Sequence, residues 1–230
     1  VAQTLIAILI ITLTVIIYLA MNRLYVRFSS PLLSPILTTV LIIIAFLICF
    51  HIPYNTYLIG GKWINFLLGP AVVALAYPLY NQRKMLMKHL APIVTGVCIG
   101  LFVGIISGSI LAFVFGLHKD MILSLLPKSI TTPIAMEVSA QLGGIPAITV
   151  VFVMIAGFVG VILGPSFLKW SRINSDMGKG IALGSASHAL GTSKASEYGE
   201  LSFSMSSISM ALTAILGAII GSFIPFFFHI

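Results

Sequence analysis

The chain has 230 residues, 59% of them hydrophobic and 7% charged, and its mean hydropathy is +1.16. A soluble domain carries about 25% charged residues, so composition excludes one and leaves a polytopic membrane protein. The net charge of +7 sets 12 Lys and Arg against 5 Asp and Glu, which fits basic cytoplasmic loops, and no contiguous basic face points to nucleic acid.

A hydrocarbon core of about 30 Å needs roughly 20 apolar residues per helix, so the chain has room for about six to eight crossings. The first residues lack the charged start and small-residue cleavage site of a signal peptide. Residues 1–21 form an unbroken apolar run and read as the first span, followed by Arg23 and Arg27. Residues 35–50 read as the second. A polar turn at 51–61 leads to Lys62 and Trp63, residue types that anchor helices at a membrane interface. Residues 63–80 read as a third span, but Gly69-Pro70 and Pro78 predict that it is bent or partly unwound. Tyr80, Asn81 and Gln82 close it, either as cavity lining or as an interfacial helix end, ahead of Arg83, Lys84 and Lys88. Residues 90–115 form the fourth span. Its Gly96, Gly100, Gly104 and Gly108 share one face, where small residues let helices approach closely. Cys49 and Cys98 both lie in apolar runs and read as small core residues, not a disulfide or metal pair.

Two segments then break the pattern. Residues 121–144, MILSLLPKSITTPIAMEVSAQLGG, are apolar but carry Lys128, Ser129, Thr131, Thr132, Pro133 and Glu137. Residues 178–200, GKGIALGSASHALGTSKASEYGE, are similar in kind. Each is followed by a long glycine-studded apolar run, 145–168 and 201–228. Broken backbone at membrane depth survives only inside protein or beside a water-filled cavity, and polar groups placed there are usually functional.

Basic loops give the topology. Placing Arg23/Arg27, Arg83/Lys84/Lys88 and Lys169/Arg172/Lys179 inside puts the N-terminus and the loop at 116–120 outside. Lys169 and Arg172 reach the inside only if 121–144 enters and returns on the outer side. The same argument makes 178–200 a re-entrant hairpin from the inside and places the C-terminus outside. A shift of 57 residues lays Ser139 on Ser196, Thr131 on His188, Glu137 on Lys194, Gly160 on Gly217 and Gly164 on Gly221. Oppositely oriented units with broken helices meeting near the midplane are a transporter signature. The expected architecture is all-α, with about six full transmembrane helices plus two re-entrant or broken hairpins in an inverted repeat, like an elevator transporter. Residues 1–116 would be scaffold-like helices and 117–230 the core, in one integral membrane domain.

The candidate substrate-binding residues are Lys128, Ser129, Thr131, Thr132, Ser187, His188, Gly191 and Thr192, with Ser185 and Ser193 beside them. Pro133 suits the first turn of a helix, whose amides and neighbouring hydroxyls favour an anion. Lys128 would add positive charge, or else snorkel to an interface. His188 could meet a carboxylate or carry a coupling proton, or be a hydrogen-bonded core residue. Glu137 and Lys194 are candidates for coupling, or for an ion pair across the hairpins that offsets their burial. Nothing supports catalysis: no HExxH, P-loop, CxxC or Ser-His-Asp set in plausible context is present, and no metal or cofactor is implied.

The strings LLGPAVVALAYPLY, LPKSITTPIAMEVSAQLGG and GIALGSASHALGTSKA resemble the LrgB/CidB family of bacterial membrane proteins over nearly the whole chain. The family pattern falls on Pro70, Lys128, Ser129, Thr131, Thr132, Pro133, Glu137, His188, Gly191 and Thr192. The resemblance implies a multi-pass protein of the bacterial inner (plasma) membrane. It implies either of two activities. One is holin/antiholin-like control of murein hydrolase activity and cell lysis, in tandem with a smaller LrgA/CidA-type partner. The other is carriage of small monocarboxylates: a related plastid protein exchanges glycolate and glycerate, and bacterial relatives are linked to pyruvate uptake. A homodimer is the default for a symmetric membrane carrier.

The topology has a direct test. In a background without Cys49 and Cys98, an impermeant thiol reagent applied to intact cells should label His118→Cys and spare Arg172→Cys. The reverse pattern would break the charge argument.

Overall fold

The computed structural model describes residues 2–28, 33, 35–74 and 76–228. Every regular element among them is helical. The chain divides into two compact units, Val1–Ala71 and Val72–Ile230. By contacts, residues 72–116, expected with the scaffold, fall in the second unit.

In the first unit, α1 (Ala2–Phe28), α2 (Pro35–Cys49) and α3 (Tyr54–Phe66) pack together. Gly60 of α3 lies against Ile10 and the Ala7 carbonyl of α1, and Thr14 and Tyr57 hydroxyls are 3.3 Å apart. The outer face of α1 is bare: Ile8 is 57% exposed and Leu9 63%. An apolar surface of that extent requires hydrocarbon as its solvent.

The expected third span is divided. α3 ends at Phe66, α4 runs Leu68–Ala74 and α5 runs Ala76–Asn81. Proline cannot donate to the carbonyl four residues back. For Pro70 that carbonyl belongs to Phe66, so α3 ends where a proline removes the bond. Among the described residues four helices are long and apolar enough to cross a membrane: Gln3–Phe28, Leu90–Val114, Pro146–Trp170 and Glu200–Gly221. The apolar Pro35–Cys49 is shorter, 15 residues, or about 22 Å at 1.5 Å per residue. Against the expectation of about six full spans, the described residues hold four long apolar helices and one shorter one.

In the second unit, α6 (Arg83–Lys88) leads to α7 (Leu90–Val114), which with α10 (Pro146–Trp170) and α12 (Glu200–Phe228) forms a frame of long helices. Ile93, Val97 and Leu101 of α7 share a buried core with Val153 of α10 and Met205, Ile208 and Ala214 of α12.

Two helical hairpins pack into this frame. The first is α8 (Lys119–Leu125), a 3₁₀ turn (Leu126–Ser129), extended Ile130 and α9 (Thr132–Leu142). Its base is closed by the Ile145 amide, which donates to Ser124 Oγ at 2.7 Å. α9 stops at Gly143, whose φ of +82° suits glycine, and the Gly144 amide returns to the Ser139 carbonyl at 2.8 Å. The second hairpin is α11 (Asp176–Ala195), started by Ser175 Oγ accepting from the Gly178 amide and broken at His188, where φ is 48° and ψ −131°. Gly191 packs directly on the Leu183 carbonyl. Eight residues of straight helix would separate them by about 12 Å, so the chain doubles back at His188.

The hairpin tips reach the middle of the frame. Ser187 sits on Gly160, about 21 Å along the ~37 Å of α10. Ser129 sits on Gly104, at about the same depth in α7. Ile130 sits on Gly217 of α12. The 57-residue shift that carries Gly160 to Gly217 also carries Ile130 to Ser187. The contact of one hairpin with the long helix that follows the other hairpin thus recurs with the roles exchanged.

The second hairpin approaches α12 through Gly180 and Gly184, which abut the Ser202 and Ser206 carbonyls. Gly184→Ala should cost about 1–3 kcal/mol, because its new methyl meets backbone. Gly69→Ala, with nothing near it, should be neutral or stabilising by up to ~1 kcal/mol. Thermal unfolding in detergent compares the two.

Candidate functional site

The two tips meet at one hydrogen bond. His188 Nε2 lies 3.1 Å from the Lys128 carbonyl, 60 residues away in sequence. A carbonyl only accepts, so Nε2 donates. His188 is 6% exposed, and its Nδ1 has no protein partner. Its backbone lies in a region that non-glycine residues avoid, at a cost of about 1–3 kcal/mol, and such strain persists where the surroundings over-determine it.

Lys128 does not snorkel outward. Its ammonium donates to the Gly104 carbonyl and lies against Gly108 of α7. The glycine face expected on this span is what admits it. Lys128 therefore ties three elements together: its side chain holds α7 and its carbonyl holds the second hairpin.

Thr131 is the residue before α9, where a threonine normally caps a first-turn amide. Here its hydroxyl makes no cap and is buried without a partner. The first-turn amides of α9 are left with partial positive charge. Thr132 is half-buried in that turn, and Ser129 packs on Gly104. Ser187 is buried at the second break with an unpartnered hydroxyl. The junction thus combines a free helix start with three unpartnered polar atoms: Thr131 Oγ1, Ser187 Oγ and His188 Nδ1.

Thr192 has a structural position. Its hydroxyl donates to the His188 carbonyl at 3.0 Å and shares a hydrogen bond with Ser206 Oγ at 3.0 Å. Gly191 allows the fold-back onto Leu183. Ser185 donates to the Ile181 carbonyl at 2.7 Å, and Ser193 is exposed. Tyr80 is exposed, with Arg83 stacked on its ring and bonded to its carbonyl at 2.9 Å, an arrangement suited to an interfacial helix end.

The expected Glu137–Lys194 pair is not formed. Lys194 Nζ pairs with Glu197 at 2.6 Å, three residues on, and Glu137 is exposed. The local partner wins because it needs no reach across the hairpins. Sequence reasoning also passed over a row of hydroxyls on α12: Ser202, Ser206, Ser209 and Thr213 are all buried. Their spacing of four, three and four residues places them on one helix face, and that spacing was the available signal. Among the described residues no group of three or more His, Cys, Asp and Glu could hold a metal.

Long apolar helices enclosing paired, broken helical hairpins with polar tips define a polytopic membrane protein with an internal polar junction. The LrgB-like family profile matches residues 14–229, and the chain belongs to that family. It is 63% identical over 228 residues to YxaC of Bacillus subtilis (strain 168), covering 99% of each chain. It is 40% identical over 214 residues to the holin-like protein CidB of Staphylococcus aureus (strain N315), covering 93% of each. It is also 38% identical over 204 residues to YwbG of Bacillus subtilis (strain 168), covering 89% of this chain. No solved structure matches.

The ion-pair correction can be measured by double-mutant cycles. Lys194 and Glu197 should couple by about 0.2–1 kcal/mol, the range for exposed pairs. Lys194 and Glu137 should show no coupling beyond the ~0.3–0.5 kcal/mol scatter of independent sites.

Proposed function

We propose that the protein is a secondary carrier of small monocarboxylates of the pyruvate, glycolate, glycerate or lactate type. It would work by alternating access, with the hairpins re-entering the membrane from opposite faces and the substrate held at their tips. The observation that carries this reading is the junction itself: a free α9 start beside unpartnered Thr131, Ser187 and His188, at mid-depth of α7 and α10. Unpartnered polar groups in a membrane interior are costly, and an anion's oxygens would accept from the α9 amides and the Thr131 and Ser187 hydroxyls. The exchanged contacts Gly160–Ser187 and Gly217–Ile130 support an inverted repeat, the arrangement that lets such a site open to either side. In this reading Lys128 is a clamp on α7 and adds long-range positive charge. Glu137 remains a candidate coupling group, being unpaired and exposed.

A second reading has a specific observation behind it. The staphylococcal relatives at 38–40% identity carry the name holin-like protein, which speaks for a pore or a regulator of murein hydrolase activity and lysis. Association through lipid-facing helices, as a homodimer or with a small LrgA/CidA-type partner, fits either reading.

Purified protein in liposomes separates them. A carrier takes up labelled pyruvate or glycolate saturably, and Thr132→Ala or His188→Ala lowers the rate at least about tenfold, the effect of losing roughly 1.4 kcal/mol of binding. A holin-like pore instead leaks solutes of varied chemistry without saturation and is indifferent to both substitutions.

A further inference from the structure

We propose that the groove between α1 and α3 of the first unit binds an anionic phospholipid, with Lys62 on the head-group phosphate and an acyl chain lying along α1. The inference concerns the first unit alone and does not depend on what the second unit carries.

The two helices run antiparallel. The Thr14 hydroxyl meets that of Tyr57, and Gly60 meets Ile10 and the Ala7 carbonyl, so rising numbers on α3 meet falling numbers on α1. A groove opens beside this contact. Thr4, Ile8 and Ile11 of α1 and Ile59, Lys62 and Trp63 of α3 line it. Within each helix these residues are spaced by three or four positions from one another or from a shared neighbour, which puts each set on one helix face.

The groove is polar at one end and apolar along the rest. Gln3 and Thr4 at the start of α1 lie level with Lys62 and Trp63 near the end of α3, while Ile8, Ile11 and Ile59 lie deeper. The rise from Gln3 to Ile11 is about 12 Å, against roughly 15 Å for the hydrocarbon of one leaflet. Lys and Trp at the polar end are residue types of a membrane interface. A head group at Lys62 therefore leaves its acyl chain against the isoleucines.

The charge on Lys62 has no answer within its unit. Residues 1–71 contain Arg23, Arg27 and Lys62 and no Asp or Glu. The ion pairs among the described residues are Lys179–Asp176 and Lys194–Glu197, and neither involves Lys62. An anionic head group supplies the missing charge at the depth where Lys62 stands. A zwitterionic lipid would bring a cation of its own to a unit without a carboxylate to receive it, so the site favours a lipid of net negative charge.

Size excludes a helix as the occupant. The groove holds about 440 Å³, within the ~300–1,000 Å³ of small-ligand pockets. A helix about 10 Å across needs roughly twice that volume over the same length. A second groove on α1 marks the contrast. It holds about 270 Å³, is lined by residues such as Leu9, Leu13 and Phe46, and has no charged residue to choose a head group.

Trp63 lies in the groove, and the other tryptophan of the chain is the exposed Trp170. Trp170→Phe leaves Trp63 as the single emitter. The full chain with that change is placed in vesicles of phosphatidylcholine and phosphatidylglycerol, with bromine on the acyl chains of one lipid or the other to quench Trp63 on contact. Phosphatidylglycerol should associate at Trp63 at least about threefold more strongly than phosphatidylcholine. Lys62→Gln should lower that ratio at least about twofold, and Lys62→Arg should keep it. Ile8→Phe narrows the groove and retains the charge. It should also lower the ratio at least about twofold, which a lysine attracting only the bulk lipid surface would not show.

A starting ratio below about threefold overturns the inference, as does a ratio that Lys62→Gln or Ile8→Phe changes by less than about twofold, or one that Lys62→Arg abolishes. Trp63 shielded from both brominated lipids would mean that protein fills the groove, and overturns it too. If Lys62→Gln does not fold, Lys62→Arg and Ile8→Phe decide.

Discussion

Hydrocarbon offers a backbone no hydrogen bonds, and that one constraint organises the second unit. A helix broken at mid-depth exposes carbonyls and amides, each costing several kcal/mol if left alone. Here the two breaks meet and supply one another. His188 donates to the Lys128 carbonyl, Lys128 donates to the Gly104 carbonyl, and Thr192 donates to the His188 carbonyl. The glycines of α7, α10 and α12 make this possible by removing the side chains that would hold the hairpin tips away. Three of the groups that remain unpartnered, Thr131 Oγ1, Ser187 Oγ and His188 Nδ1, belong to residues at or next to the two tips.

This arrangement explains why Lys128 and Thr192 matter without requiring that either touch a solute. Both belong to the network that holds His188 in a strained conformation. Thr131 Oγ1, Ser187 Oγ and His188 Nδ1 are atoms at the tips that this network leaves without a protein partner. The buried hydroxyl face of α12 continues from Thr192 through Ser206 and gives the second hairpin a polar seam against its neighbour. The first unit, by contrast, is apolar and largely exposed, and its chemistry is that of a surface meeting lipid.

Much of this was legible in the chain. Proline, glycine and hydroxyl residues inside apolar runs located both hairpins to within about five residues of their helical limits, and Gly69-Pro70 marked the third apolar stretch as interrupted, next to the break after Phe66. The number of full spans was not legible, because an apolar run reads the same whether its helix is straight or divided. The partners of Lys128 and Lys194 were hidden for a different reason. Lys128 reaches across 24 residues to a backbone carbonyl, which no pattern of side chains announces. Lys194 had a carboxylate three residues away, and the pairing across the repeat drew attention from it. The hydroxyl row on α12 was present as spacing but sat inside a span that read as glycine-rich packing.

The meeting of both tips at the centre of α7 can be measured by cross-linking in a background without Cys49 and Cys98. A Cβ at Gly104 would lie 3.5 Å from the Ser129 Cβ, and one at Gly100 would lie 3.7 Å from the Ser185 Cβ. Both separations fall within the roughly 3.5–4.5 Å that a disulfide spans. Gly104→Cys with Ser129→Cys, and Gly100→Cys with Ser185→Cys, should each close under mild oxidation in native membranes. If neither pair closes while both variants are folded and inserted, the hairpins do not meet on α7 and the account fails.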